Sequence, residues 1–131
     1  MPRIIKVAAA QLGPISLKES RSSAINRMIF LMREAKKEDV NFIVYPELAL
    51  TTFFPRWYFE KQSEIDKFFE TEIPNAATQP LFEEACKLKI SFNIGYAELQ
   101  IEDGIHHHYN TAILVDKTGN IVGKYRKIHL P

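Results

Sequence analysis

Apolar residues in this chain alternate between short unbroken runs and a helical stripe. Ile4 to Gln11 is an apolar run compatible with a buried strand, and Gly13-Pro14 closes it. From Leu17 the period changes. Ile25, Met28, Ile29 and Met32 fall at i, i+3, i+4 and i+7, which places them on one side of a helix. The opposite side carries Arg27, Arg33, Lys36 and Lys37. Ser16, with Glu19 three residues on, has the form of a capping box at the helix start. Asn41 to Tyr45 is a second apolar run. Strand, helix and strand in this order predict a βαβ unit with a parallel strand pair and a right-handed crossover.

The second half reads differently. Phe53 to Thr78 is irregular and dense in aromatics, with a short helix expected over Ser63–Glu70. Gln79–Lys89 predicts another helix, with Leu81, Ala85 and Leu88 inward. Strands are expected over Ile90–Leu99, Tyr109–Val115 and Ile121–Tyr125. Turn signals at Glu102-Asp103-Gly104 and at Asp116-Lys117-Thr118-Gly119 separate them. That spacing predicts an antiparallel meander following the parallel unit. No repeat, low-complexity tract or linker interrupts the chain, so residues 1–131 read as one α/β (α+β) domain.

Composition narrows the partners. With 46% hydrophobic and 25% charged residues, the 131-residue chain has an ordinary globular make-up. Seventeen basic residues against 16 acidic ones give a net charge of +1, which argues against a nucleic-acid footprint. No apolar run reaches the roughly 18 residues a membrane span needs. The start of the chain lacks the apolar segment of a signal peptide, and the single cysteine excludes an internal disulfide framework. A cytoplasmic protein is the expectation.

Two stretches carry candidate chemistry. In FIVYPELALTTFFP, Glu47 stands directly after a strand and among apolar neighbours. Ligands of open α/β sheets bind beyond the carboxyl ends of parallel strands. Burial there would push the carboxyl pKa up, toward that of a general base. A carboxylate at this place could equally cap the next segment or lie on the surface. In GKYRKIHLP, Lys124, Arg126 and Lys127 cluster at a strand end, either as a solvated basic patch or to hold a developing oxyanion.

Together, in this order and at this separation, the two stretches resemble the carbon–nitrogen hydrolase (nitrilase) superfamily. NIGYAEL, YNTAILVDKTGNIVGKYRKIHLP and the opening Gln11 followed by GPI are similar to its N-carbamoyl-D-amino-acid amidohydrolase branch. The resemblance covers essentially the whole chain. It implies the N-terminal half of an α-β-β-α sandwich, truncated, and a Glu–Lys–Cys triad. Glu47 matches the base, Lys127 the group that stabilises the tetrahedral intermediate, and His129 a position in the active-site region. The substrate implied is a small N-carbamoyl amino acid, with no cofactor and no metal.

The family's nucleophilic cysteine lies beyond the position where this chain stops. A base and an oxyanion donor without a nucleophile form no acyl-enzyme, so the chain alone is expected to be inactive. A homo-oligomer or a complementing C-terminal chain is the partner expected for uncovered sheet surface. A related amidase or ureidopropionase-like hydrolase, and a non-catalytic remnant or interaction module, are the alternatives. The only cysteine, Cys86, falls one turn after Phe82 on the expected helix and reads as a core residue. His106-His107-His108 cannot converge on one ion if they lie in a strand, because neighbouring side chains point to opposite faces. TTFFPRWYF, right after Glu47, could shape a pocket mouth, core or interface, with packing preferred.

Overall fold

A computed structural model describes residues 1–130. Five strands form one sheet in sequence order: β1 (Val7–Ala9), β2 (Phe42–Val44), β3 (Ser91–Glu102), β4 (Ile105–Val115) and β5 (Ile121–Arg126). β1, β2 and β3 pair in parallel, and β3, β4 and β5 form the antiparallel meander that the turn signals predict. The first two strands are shorter than their apolar runs. β4 begins earlier than expected, so the three histidines lie within it.

Helices α1 (Arg21–Lys37) and α3 (Gln79–Leu88) cover one face of the sheet. Ile25, Met28, Ile29 and Met32 of α1 meet Leu81, Phe82 and Ala85 of α3 over Ile43, Tyr45, Phe92, Ile94, Ile113 and Val115. The stripe read from the sequence is therefore the core stripe. Tyr45 reaches past it to donate its hydroxyl to the Met28 carbonyl at 2.7 Å, and burial pushes its pKa up. The α1 cap differs from expectation. Ser16 and Glu19 close a separate turn, and Ser20 caps the helix by accepting from the Ser23 amide. The short helix α2 spans Gln62–Asp66 rather than 63–70. α3 stops at Leu88 because Lys89 adopts a left-handed C-cap, φ 54°.

Cys86 is exposed, which corrects the core reading. The inward stripe of α3 runs through Leu81, Phe82 and Ala85; one residue further the helix has turned about 100° away. Cys86 there sits beside Gly119 of the β4–β5 turn.

The other face is covered in part. A small cluster of Leu48, Phe54 and Ala97, with Phe59, Ile65, Phe68 and Phe69 against it, packs over the far half of β3. Phe54 stacks on Phe68 with centroids 5.2 Å apart. The packing reading of the aromatic stretch holds for Phe54 and Phe59, while Phe53, Trp57 and Tyr58 stay exposed. By register, Val7, Val44, Leu114 and Tyr125 share this face, and all four are exposed among the described residues. The domain is thus one sheet with a helix layer on one side and an open apolar surface on the other.

Candidate active site

Glu47 sits at the start of a loop that turns over the open face immediately beyond β2. Leu48 takes a positive φ of 49°, and the Ala49 amide donates to the Gly95 carbonyl at 2.9 Å. The loop lies so close to β3 that a Cβ at position 95 would stand 2.9 Å from the Glu47 Cα. Gly95 is what allows the carboxylate to be held against the sheet.

Two strands supply its partners. Asn110 on β4 and Lys127 just after β5 are cross-strand neighbours, tied by a 2.8 Å bond from the Lys127 amide to the Asn110 carbonyl. Their side chains converge on one atom. Asn110 Nδ2 donates to Glu47 Oε1 at 2.6 Å, and Lys127 Nζ donates to the same oxygen at 2.9 Å. Oε2 accepts no hydrogen bond among the described residues. The candidate pair read from the sequence is therefore brought into contact across 80 residues of chain.

The electrostatics differ from expectation. The Lys127 ammonium, then the Asn110 amide, hold the Glu47 carboxyl below its ordinary value against the opposing effect of burial. The expected upward shift is overturned because the Glu47 side chain is 50% exposed and the Lys127 side chain 40%. With water still present, the hydrogen-bonded cation outweighs desolvation. Glu47 is an ionised carboxylate at neutral pH.

Two cavities flank the pair. One, of about 270 Å³, runs from Glu47, Asn110 and Lys127 to an apolar wall that includes Leu48, Phe54, Phe69 and Ala97, and His108 also lines it. The other, of about 580 Å³, holds Tyr45, Asn93, Gly95 and His129 beside the same Glu47 and Lys127. His129 is exposed and shares the site's lining with the pair.

Lys124 and Arg126 do not join Lys127. They alternate to the helix side, where both pair with Glu98, and Thr111 donates to the same carboxylate at 2.6 Å. The patch read as one basic cluster is split by the two-residue period of β5. Asn110 and Gly95 escaped the sequence reading as site residues. Only their place in NIGYAEL and YNTAIL pointed to them, and neither residue type signals a role without its partner across the sheet.

The three histidines divide in the same way. His106 and His108 face Asp66 of α2, with His108 Nε2 2.7 Å from Asp66 Oδ1, while His107 stacks beside Tyr109 on the other side. No group of three or more potential metal ligands is suitably gathered among the described residues. No helix among them is long and apolar enough to cross a membrane.

The arrangement is a carboxylate and an ammonium fixed at the mouth of a sheet, beside cavities. It can hold a polarised carbonyl and move a proton. Comparison with known proteins places the chain. Residues 6–131 match the carbon-nitrogen hydrolase family, and the chain belongs to that family. A nitrilase of Pyrococcus abyssi is 31% identical over 127 residues, 97% of this chain and 44% of that protein. An N-carbamoylputrescine amidase of Oryza sativa subsp. japonica is 27% identical over 97% of this chain and 39% of its own length. The crystal structure of a carbon-nitrogen hydrolase from Helicobacter pylori G27 superposes with a TM-score of 0.76 at 23% identity, over 97% of this chain and 40% of that one. The chain thus spans about two fifths of the length of the relatives it matches.

Proposed function

We propose that this chain is the N-terminal part of an amidohydrolase that cleaves N-carbamoyl-D-amino acids through a Glu–Lys–Cys triad, with Glu47 and Lys127 as its first two members. The observation that carries this reading is the 2.9 Å contact of Lys127 Nζ with Glu47 Oε1 beside two cavities at the carboxyl end of β2. The carbamoyl substrate is supported by the sequence resemblance and by the kinship to an N-carbamoylputrescine amidase.

In the complete enzyme Glu47 takes the thiol proton at its free Oε2. The thiolate attacks the carbamoyl carbon, and Lys127 stabilises the oxyanion. The nitrogen of the carbamoyl NH2 takes up a proton and departs as ammonia, leaving a thiocarbamate. Water then releases the N-carboxy amino acid, which breaks down to the D-amino acid and carbon dioxide. Covering the open face would desolvate Glu47 and move its pKa back up, toward the basicity the first step needs. The chain's one thiol, Cys86, lies near the turn before β5, whereas Lys127 follows the end of that strand. It therefore does not complete the triad.

The test is ammonia release from N-carbamoyl-D-amino acids. The chain is assayed alone and after mixing with a separately expressed C-terminal half of a similar enzyme. Activity that appears only on mixing, and that drops about 100-fold or more with Glu47→Gln or Lys127→Ala, is expected. Activity of the chain alone would refute its dependence on an outside nucleophile. Turnover unchanged by both substitutions would refute the assignment. Folded chains silent in every mixture would favour a non-catalytic module.

A further inference from the structure

His108 belongs to neither of the candidate pair's hydrogen bonds, yet it lines the same 270 Å³ cavity. It lies two residues before Asn110 on β4, hence on the same face and about 6.6 Å along the strand. Its ring is held from two sides. Phe69 meets it edge-on with centroids 4.8 Å apart, and Asp66 Oδ1 lies 2.7 Å from Nε2. Gln62 Nε2 lies 3.3 Å from the same ring nitrogen, but it also donates to Asp66 Oδ1 at 3.0 Å. His106 approaches the other Asp66 oxygen at 3.3 Å.

These distances decide the tautomer. Asp66 is ionised, since Gln62 first, and then His108 and His106, hold its carboxyl below the ordinary value against the opposing effect of burial. An ionised carboxylate only accepts, so the proton of the short contact belongs to Nε2. Gln62, at the longer distance and with a better acceptor in Asp66, does not compete for that nitrogen. With that proton on Nε2, Nδ1 has no hydrogen-bond partner among the described residues. A single polar acceptor in an otherwise aromatic and aliphatic wall is how such cavities select one ligand over another.

We infer that His108, braced by Asp66, is a specificity-determining residue that accepts a hydrogen bond from a hydroxyl or N–H at the far end of the substrate. The favoured class is an amide or carbamoyl compound with an apolar middle and a donor about five bonds from the reacting carbon. This rests on the reading of Glu47 and Lys127 as the amide-binding end, and the experiment separates the two.

Pentanamide and 5-hydroxypentanamide are titrated into the chain, with the Asn110 side-chain amide and the imidazole nitrogens followed by NMR. Both amides are expected to shift Asn110. The hydroxy compound is expected to bind about fivefold more tightly and to move the His108 Nδ1 resonance. In His108→Leu the preference should vanish while pentanamide binding persists. In Asp66→Asn, which keeps the ring but releases the tautomer, the preference should fall and the nitrogen shifts should report a mixture. Equal binding of both amides by the wild-type chain, or a preference that survives His108→Leu, would overturn the assignment of His108 alone. Failure of either amide to shift Asn110 would overturn the amide-binding reading and this inference with it.

Discussion

Glu47 owes its position to a residue that makes no polar contact with it. Gly95 leaves room for the loop at Pro46-Glu47-Leu48, and an added methyl would meet backbone atoms at 2.9 to 3.3 Å, which cannot swing aside as a side chain could. Gly95→Ala should therefore lift the loop, at a cost of about 1–3 kcal/mol in stability. Thermal unfolding would measure the loss, and disappearance of the Asn110 side-chain shift caused by Glu47 would show the separation. A melt and an Asn110 signal unchanged from wild type would refute this account. The lowered pKa of Glu47 has its own signature at this scale. Its folded-state pKa lies below the unfolded one, so the ion pair adds stability above the unfolded value and loses it as pH falls through the folded one. The group is half exposed, so the effect is small and screened by salt.

At the scale of elements, β5 is fastened to β3 and β4 by charge as well as by its ladder. Glu98 on β3 is 7% exposed and gathers Arg126, Lys124 and Thr111. Burial pushes its carboxyl up, but Arg126, then Lys124 and Thr111, outweigh it and bring the pKa from the ordinary 4.5 to about 2. The folded value is depressed, so this stabilisation is complete above about pH 4.5 and is lost as pH falls toward 2. Acid titration of stability should show that loss in the wild type, and Glu98→Gln should flatten it. Equal acid sensitivity in both would argue against the network. The aromatic segment is fastened by packing instead. Phe54→Ala empties the centre of the cluster over Ala97 and should cost about 3 kcal/mol. Denaturant melts would give the value. A cost below about 1 kcal/mol would mean that the segment collapses freely onto the sheet.

At the scale of the molecule, the open face is the dominant feature. Val7 is 63% and Tyr125 59% exposed there, with Val44 and Leu114 between them across the sheet. Related proteins are more than twice as long as this chain, and a second layer over this surface is what the α-β-β-α sandwich would supply. The chain studied alone should self-associate through the face, since large uncovered apolar patches rarely stay solvated. Sedimentation should show concentration-dependent association that Leu114→Lys with Tyr125→Lys weakens. A monomer at high concentration, or association indifferent to the two lysines, would contradict this.

Much of this architecture could be read along the chain. Periodicity alone placed the α1 stripe, the α3 helix and the order of parallel and antiparallel strands, because local spacing dictates which residues can be buried together. Position at strand ends nominated Glu47 and the basic cluster with Lys127, and resemblance gave the pair its roles. The rest needed three dimensions. Whether Glu47 is raised or lowered depends on water and on Asn110 and Lys127, which lie 63 and 80 residues away in sequence. Cys86 left the core through a rotation of one helical residue, finer than a periodicity argument resolves. His108 gained its partner only when α2 folded over β4. A sequence pattern reports which side of an element is apolar. Contacts across a sheet, and the solvent left between them, set the charge and the chemistry of the groups it carries.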